Sequence, residues 1–467
     1  MYLSNKLLLF VFIIVFSLSA HSEKSDDLKK VITKYNFNTS EFSFGFLNLA
    51  NDEIVALHNE KKLFNSASLV KIITTYIGLK ELGPGFKWQS DFYYTGVIVG
   101  ETLKGDIVFK GNGDASFSVQ DLEDMIREIQ RKGIKKIEGN LLFDTSYFGL
   151  IPSEVTFDND PMRAYNVLPS AISLQSNTIN FRFESYKDKV RIDIKPYIRE
   201  LKISNNIKNS REKCLSWREK LRYETKVIEQ KNILNFSGKF SRRCKTKEID
   251  LAMLDWQTYF YHTFKQKWID NGGSFNGGFM ESLLILNDNN LLVSHFSDSL
   301  SNLIRDTNKY SLNLMSRNLM LTIIANENNV HPTEVMVNSY IKNWLGKNQI
   351  ESEGLFIDNG AGLSRNIKVS INQYLTILKR IYYDPMMPEM ISSFPIAGID
   401  GTLKKRMSNS PINMNGHFKT GSMNEVSAMA GFFLNRHKEM NIFVFMMNGK
   451  KANRSQNFQE ALIETIF

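Results

Sequence analysis

The chain is poor in the residues that carry metal and thiol chemistry: 467 residues contain two cysteines and seven histidines. No His-Glu-x-x-His pattern occurs, and no Gly-x-Ser-x-Gly elbow, since Gly362-Leu363-Ser364-Arg365-Asn366 fails at its last position. Zinc proteases and ordinary Ser-His-Asp hydrolases therefore drop down the list of readings. Neither cysteine lies near a histidine cluster. In an oxidising compartment Cys214 and Cys244 would close one disulfide over 29 intervening residues, the alternative being two unpaired thiols. Such a loop closure is worth on the order of 3 kcal/mol. Internal repeats and low-complexity linkers are absent. A membrane-spanning run is lacking too: Leu7 to Phe16 gives ten apolar residues, little more than half of the roughly 20 that a span requires.

That short run has another reading. Met1 to Lys6 form a basic start, and Ser17-Leu18-Ser19-Ala20-His21-Ser22 supplies small residues for cleavage after Ala20 or Ser22. The charged residues Glu23, Lys24, Asp26 and Asp27 follow at once. We read 1–22 as a secretory signal peptide, with an uncleaved anchor as the alternative. No cysteine there could carry a lipid, so the mature protein is expected to be periplasmic or otherwise extracytoplasmic, with no stable membrane span after processing. Export also disposes of nucleic acid as a partner, which the formal charge of +9 would otherwise suggest. The basic residues are scattered, and the charge supports at most a weak attraction to anionic envelope polymers. With 42% hydrophobic and 12% aromatic residues the chain can bury full cores, and its length suits two or three domains.

Three short motifs occur in a fixed order. After a hairpin pattern, Phe42 to Leu49 and Glu53 to His58 around Asn51-Asp52, Ser68 opens a mostly apolar helix that runs to Leu82 and stops at Gly83-Pro84-Gly85. Its N-terminal end offers unpaired N–H groups and the positive end of the helix dipole. Lys71, at i+3, shares a face with Ser68. A serine hydroxyl is a poor nucleophile unaided. A lysine amine within hydrogen-bond reach can take its proton if burial and nearby positive charge lower the amine's pKa from about 10.4. Taken alone, Ser68 is as well explained as a helix N-cap beside an exposed lysine. Ser210-Arg211-Glu212-Lys213 repeats the spacing, but among charged neighbours and without an apolar helix.

About 240 residues later, Ser311-Leu312-Asn313 sits between two helical stretches, Ser297 to Asn308 and Leu314 to Ala325. A corner there could aim Ser311 and Asn313 into a cleft, although by itself the tripeptide reads first as a polar turn with Ser311 as an N-cap. Ser204, Ser316 and Ser364 also precede an Asn by two. Lys419-Thr420-Gly421 is the one Lys-Thr-Gly in the chain. A strand there can present an ammonium and a hydroxyl to a substrate carboxylate, and Gly421 permits close backbone approach. Ala428 to Leu434 and Asn441 to Met447 read as two further strands, Phe458 to Ile466 as a closing helix.

Ser-x-x-Lys, Ser-x-Asn and Lys-Thr-Gly in this order are the signature of penicillin-recognising serine enzymes. The chain resembles the class C low-molecular-mass penicillin-binding proteins, the D-alanyl-D-alanine carboxypeptidase/endopeptidase family, over nearly its full mature length. Further resemblance lies in Gly113-Asp114, Phe143-Asp144-Thr145-Ser146, Leu168 to Ser173, Asp358 to Arg365 and Phe394 to Leu403. The resemblance implies an α+β fold: a discontinuous transpeptidase/β-lactamase-like catalytic domain, an antiparallel sheet flanked by helices, interrupted by inserted β-rich domains. The expected division is 23–88 and 251–467 for the catalytic domain and 89–250 for the insertion, which accounts for the long gap between the first two motifs. Strands at Gly105 to Phe109 and Gly139 to Phe143 would flank a helix over Ser118 to Arg131.

Carried over residue by residue, the resemblance makes Ser68 the nucleophile and Lys71 its general base. Ser311 becomes a proton relay to the leaving amine and Asn313 an orienting group for the substrate amide. Lys419 supports the proton network and, with Thr420, binds the terminal carboxylate; Gly421 and Ser422 complete the substrate strand, with an oxyanion hole from the N–H groups of Ser68 and Ser422. Peptidoglycan stem peptides are the implied substrates and β-lactam antibiotics the implied inhibitors. No metal or organic cofactor is called for. Leu312 departs from the polar residue common at the middle of Ser-x-Asn. A β-lactamase and a non-catalytic peptidoglycan-binding scaffold remain as alternatives, and carboxypeptidase and endopeptidase action are not separable at this level.

Overall fold

The structure is a computed structural model that describes residues 26–149, 158, 160–228, 231–282, 288–328 and 330–467. The expected leader at 1–22 lies outside them. The chain forms two compact units: one from the residues up to Gly85 with Leu300–Leu312 and Glu334–Phe467, the other from Phe86–Ser299 with Asn313–Thr333.

In the first unit an antiparallel five-stranded sheet runs Gly416–Met423, Val426–Leu434, Met440–Asn448, Phe42–Asn48, Glu53–His58. The third and fourth strands join opposite parts of the sequence, with Phe42 opposite Met447 and Phe46 opposite Phe443. Both are buried on two faces: Ile442 to Met447 is an unbroken apolar run, and Phe42 to Leu47 alternates phenylalanine with the small Ser43 and Gly45. Alternate residues Phe42, Phe44, Phe46, Phe443, Phe445 and Met447 pack with Phe458, Leu462 and Ile466 of the closing helix Gln456–Ile466. Each such buried phenylalanine contributes about 1.5–3 kcal/mol. The opposite face meets Ile371 and Leu375 of the helix Ile371–Tyr382. The hairpin turns at Asp52, whose φ is 60°, a conformation aspartate tolerates better than most residues.

The helix Val70–Glu81 is buried from Val70 through Leu79. Such a helix belongs inside a core, so its sequence shows an apolar run rather than an amphipathic stripe. It ends at Leu82, followed by Gly83 at φ 84°.

The second unit holds a five-stranded mixed sheet, Phe279–Glu281, Leu141–Asp144, Ile107–Gly111, Gln89–Tyr94, Leu291–Phe296. The helix Val119–Arg131 covers it, and its cap is reciprocal: Asp121 N–H donates to Ser118 Oγ, and Ser118 N–H to Asp121 Oδ2. Two three-stranded sheets follow, Lys189–Lys195 with Ile179–Tyr186 and Thr246–Leu251, and Lys202–Ser210 with Lys231–Ser241 and Leu221–Ile228. Cys214 and Cys244 are joined by a disulfide.

This unit is larger than the expected 89–250. The helix Trp256–Asp270 lays Phe260 and Phe264 on Phe109 and Phe92, with ring centroids 4.6 and 5.7 Å apart. Leu291–Phe296 then adds an edge strand beside Gln89–Tyr94. Packing of aromatic side chains against the 89–111 strands thus carries the chain to Ser299 within the same compact body. The division between the units falls after Leu312, between the helices Leu300–Lys309 and Asn313–Asn328. Among the described residues no helix is long and apolar enough to cross a membrane.

Candidate active site

Ser68 lies in a single turn, Ala67–Leu69, immediately before the buried helix. The turn is held in a conformation the chain would not choose unaided: Ala67 has φ 47°, sparsely populated for a residue with a Cβ. Asn65 Oδ1 accepts from Ala67 N–H at 2.9 Å, and its Nδ2 donates to the Ser364 carbonyl at 2.8 Å. Asn65 N–H donates to Asn448 Oδ1 at 2.7 Å, and Asn448 Nδ2 donates back to the Asn65 carbonyl at 2.9 Å. The hydroxyl of Tyr374, fully buried, donates to Ser66 Oγ at 2.9 Å. The serine turn is therefore clamped by the sheet, by the 358–364 loop and by a neighbouring helix.

Lys71 is 0% exposed. Its Nζ donates to Ser68 Oγ at 3.0 Å and to the Ala361 carbonyl at 2.7 Å. The Ala361 carbonyl comes from a loop knotted by its own polar groups: Asn359 Oδ1 accepts from the N–H of Ala361 and of Leu363, and Ser364 Oγ donates to Asp358 Oδ2. Gly362, at φ 79°, passes so close that a Cβ there would sit 2.0 Å from the Ala67 carbonyl oxygen. Only glycine fits that contact.

The strand Gly416–Met423 runs along the same turn. A Cβ at Gly421 would lie 2.5 Å from the Ser66 carbonyl oxygen and 3.2 Å from Ser68 N, so the close approach Gly421 permits is that of the chain's own backbone. Ser422, next on the strand, is exposed. Lys419 is fully buried, and its Nζ donates to Ser311 Oγ at 3.0 Å and to the Thr420 carbonyl at 2.8 Å. Burial lowers the Lys419 ammonium pKa from its ordinary value to about 7, because the charged form loses its hydration there. Ser311, at φ 60°, forms the corner after Leu300–Lys309, and Leu312 points outward at 41% exposure. Thr420 Oγ1 lies 2.7 Å from Thr402 Oγ1.

The structure thus brings together Ser68 with Lys71, Ser311 with Lys419, and the Gly421 backbone with the serine turn. Asn313 opens the helix Asn313–Asn328 in the second unit, where its Nδ2 donates to the Tyr165 carbonyl at 3.1 Å. The copy of the first motif at 210–213 stays at the surface: Arg211, Glu212 and Lys213 are exposed. Three participants were not identified from the sequence, namely the Ala361 carbonyl, the Tyr374–Ser66 bond and Thr402. Two of these lie in stretches that already stood out, Asp358 to Arg365 and Phe394 to Leu403.

A buried lysine hydrogen-bonded to a serine at the head of a helix, with a second buried lysine, on the adjoining strand, bonded to Ser311, is the side-chain arrangement expected of a penicillin-recognising serine hydrolase. Residues 24–466 match the model of the D-Ala-D-Ala carboxypeptidase 3 (S13) family, and the chain belongs to that family. It is accordingly a serine-type D-Ala-D-Ala carboxypeptidase. The chain is 25% identical over 419 residues to the D-alanyl-D-alanine carboxypeptidase DacB of Haemophilus influenzae, covering 87% of this chain and 85% of that one. It is likewise 25% identical over 414 residues to the penicillin-sensitive carboxypeptidase A of Dictyostelium discoideum, covering 80% and 75%. The crystal structure of penicillin-binding protein 4 from Haemophilus influenzae superposes with a TM-score of 0.78 at 23% identity, covering 91% of this chain and 98% of that one. That likeness shows the mixed α+β penicillin-binding fold.

Proposed function

We propose that the carboxypeptidase reaction runs through an acyl-enzyme on Ser68. Lys71, as the neutral amine, takes the Ser68 proton while Oγ attacks the carbonyl of the penultimate D-alanine. The N–H groups of Ser68 and Ser422 receive the oxyanion. As the tetrahedral intermediate collapses, the Ser311–Lys419 pair delivers a proton to the departing D-alanine amine. Water then attacks the ester, gives up its proton to the lysine network, and releases the shortened peptide with Ser68 restored. A β-lactam carbonyl would acylate the same oxygen. Lys419 and Thr420 hold the terminal carboxylate, and Asn313 orients the substrate amide.

The observation that carries this reading is the 3.0 Å contact between Lys71 Nζ, fully buried, and Ser68 Oγ, a general base within reach of a nucleophile. Stem peptides of peptidoglycan are the proposed substrates, with export by the 1–22 leader and action outside the cytoplasm. Residues 89–250, which fall in the second unit, are proposed as the insertion between the serine helix and the Ser-x-Asn corner.

Defined monomeric and cross-linked muropeptides incubated with the purified protein, followed by mass spectrometry, test the reading. Loss of one D-alanine from a monomeric pentapeptide is expected. Binding of both substrates with no mass change in either would instead favour a peptidoglycan-binding scaffold, and rapid multiple turnover of penicillin a β-lactamase.

A further inference from the structure

We propose that Thr402, which lies outside the three motifs, is a positioning residue for the substrate's terminal carboxylate and acts through Thr420; this rests on the carboxypeptidase reading above. The two hydroxyl oxygens are 2.7 Å apart, the usual length of an O–H···O bond. A hydroxyl carries one proton and two lone pairs. One of the pair must therefore donate to the other. When Thr402 donates, the single proton of Thr420 is left to point outward, and accepting a bond strengthens its own donation. The direction matters because a carboxylate has no proton to offer. A carboxylate at Thr420 selects the arrangement Thr402 to Thr420 to anion.

Thr402 is held firmly enough for this. Asp400 Oδ1 accepts from Ile396 N–H at 2.8 Å, and Oδ2 accepts from Lys309 Nζ at 2.5 Å. Lys309, its side chain only 5% exposed, also donates to the Phe394 carbonyl at 3.1 Å. The attractions of Lys309 and the Ile396 N–H outweigh desolvation and keep the Asp400 carboxyl below its ordinary pKa. On the other side Ala397 N–H donates to the Gly416 carbonyl and Phe418 N–H to the Pro395 carbonyl, both at 2.9 Å. Leu403 is fully buried in the core beside the sheet. The loop that carries Thr402 is thus tied both to the strand that carries Thr420 and to the helix that leads to Ser311. Thr402 itself is exposed and Thr420 half-buried, so the pair faces the side from which a ligand arrives.

The test compares Thr402→Val, which keeps the shape and removes the hydroxyl, with Thr402→Ser, which keeps it. Steady-state release of the C-terminal residue is measured, as D-alanine from a D-Ala-D-Ala peptide with a free carboxylate and as D-alaninamide from its C-terminal carboxamide. For the free acid T402V should lose several-fold, up to about tenfold, in kcat/KM, the range for one hydrogen bond between neutral groups, with the loss in KM. The carboxamide should show no loss, the thermal midpoint should not move, and T402S should recover most of the activity. Equal losses on both peptides, or none on either, would overturn the proposal while the carboxypeptidase reading stands. Wild-type release of the C-terminal residue from neither peptide overturns that reading, and the proposal with it.

Discussion

Of the three Ser-x-x-Lys tetrapeptides, 68–71 and 339–342 lie in the first unit and 210–213 in the second; Ser339 is exposed on the helix Val337–Lys347, and the two that contrast most are 68–71 and 210–213. At 68–71 a single turn runs straight into a helix, so i and i+3 come to the same side, and the lysine is fully buried against the serine oxygen. At 210–213 the serine ends the strand Lys202–Ser210 and the next three residues are exposed. There Glu212 is occupied by Lys220 and Lys239. An extended chain turns i and i+3 to opposite faces. The chemistry therefore belongs to the helix and the burial, and the tetrapeptide only permits it.

Substitutions at both copies test that contrast. Ser68→Ala should abolish covalent labelling by a fluorescent penicillin with the fold intact by circular dichroism, while Ser210→Ala labels like wild type; persistent labelling of folded S68A would remove Ser68 as nucleophile. Lys71→Ala should slow acylation by more than about 100-fold, the lower range for a general base, and Lys213→Ala should leave the stopped-flow rate unchanged. A smaller effect concerns Lys419. Its pKa of about 7 makes it an ammonium below that pH and an amine above it, and a carboxylate is drawn to the ammonium. Because kcat/KM reports the free enzyme, it should fall for a free-acid peptide as pH rises through about 7. Lys419→Arg, which stays charged, should lack that limb. Last, replacing Cys214 and Cys244 by serine should cost about 3 kcal/mol by loop closure, seen in chemical denaturation, with penicillin acylation unaltered. Loss of acylation there would mean the units are not separable in this way.

The same contrast runs through the buried charges. Among the described residues the buried lysines, Lys71, Lys309 and Lys419, all lie in the first unit. The second unit buries Asp91, Asp114 and Asp144, the last two each accepting a hydrogen bond from the backbone two residues on, Ser116 and Ser146, and one cation, Arg317, whose Nη1 donates to the Val167 carbonyl. A carboxylate satisfied by its own turn is a local, structural device. A buried ammonium requires acceptors from distant segments, and these are the contacts sequence does not display. The Ala361 carbonyl that meets Lys71 is 290 residues away, and nothing in an alanine marks it as an acceptor. Thr402 was hidden similarly, since its partner is known only once strand and loop are side by side. What periodicity and punctuation did reveal were elements set locally: the hairpin turning at Asp52, the apolar helix after Ser68, the helix over Ser118 to Arg131, and the strands after Lys-Thr-Gly. The extent of the second unit was not legible because the aromatic face of Trp256–Asp270 gives no sign of which sheet it covers.

The pairing of Phe42–Asn48 with Met440–Asn448 also governs when the enzyme can exist. Asn48 Nδ2 bonds Glu439, 391 residues further on, so the early strand must wait for nearly the whole chain to be made. At synthesis rates of about 5–20 residues per second that wait is roughly 20 to 80 s. Throughout it, the phenylalanines of Phe42–Asn48 lack the partner strand that covers them, and the serine turn lacks the Asn448 clamp. The nascent chain is thereby kept both open to handling by other factors and chemically silent until its last strands arrive.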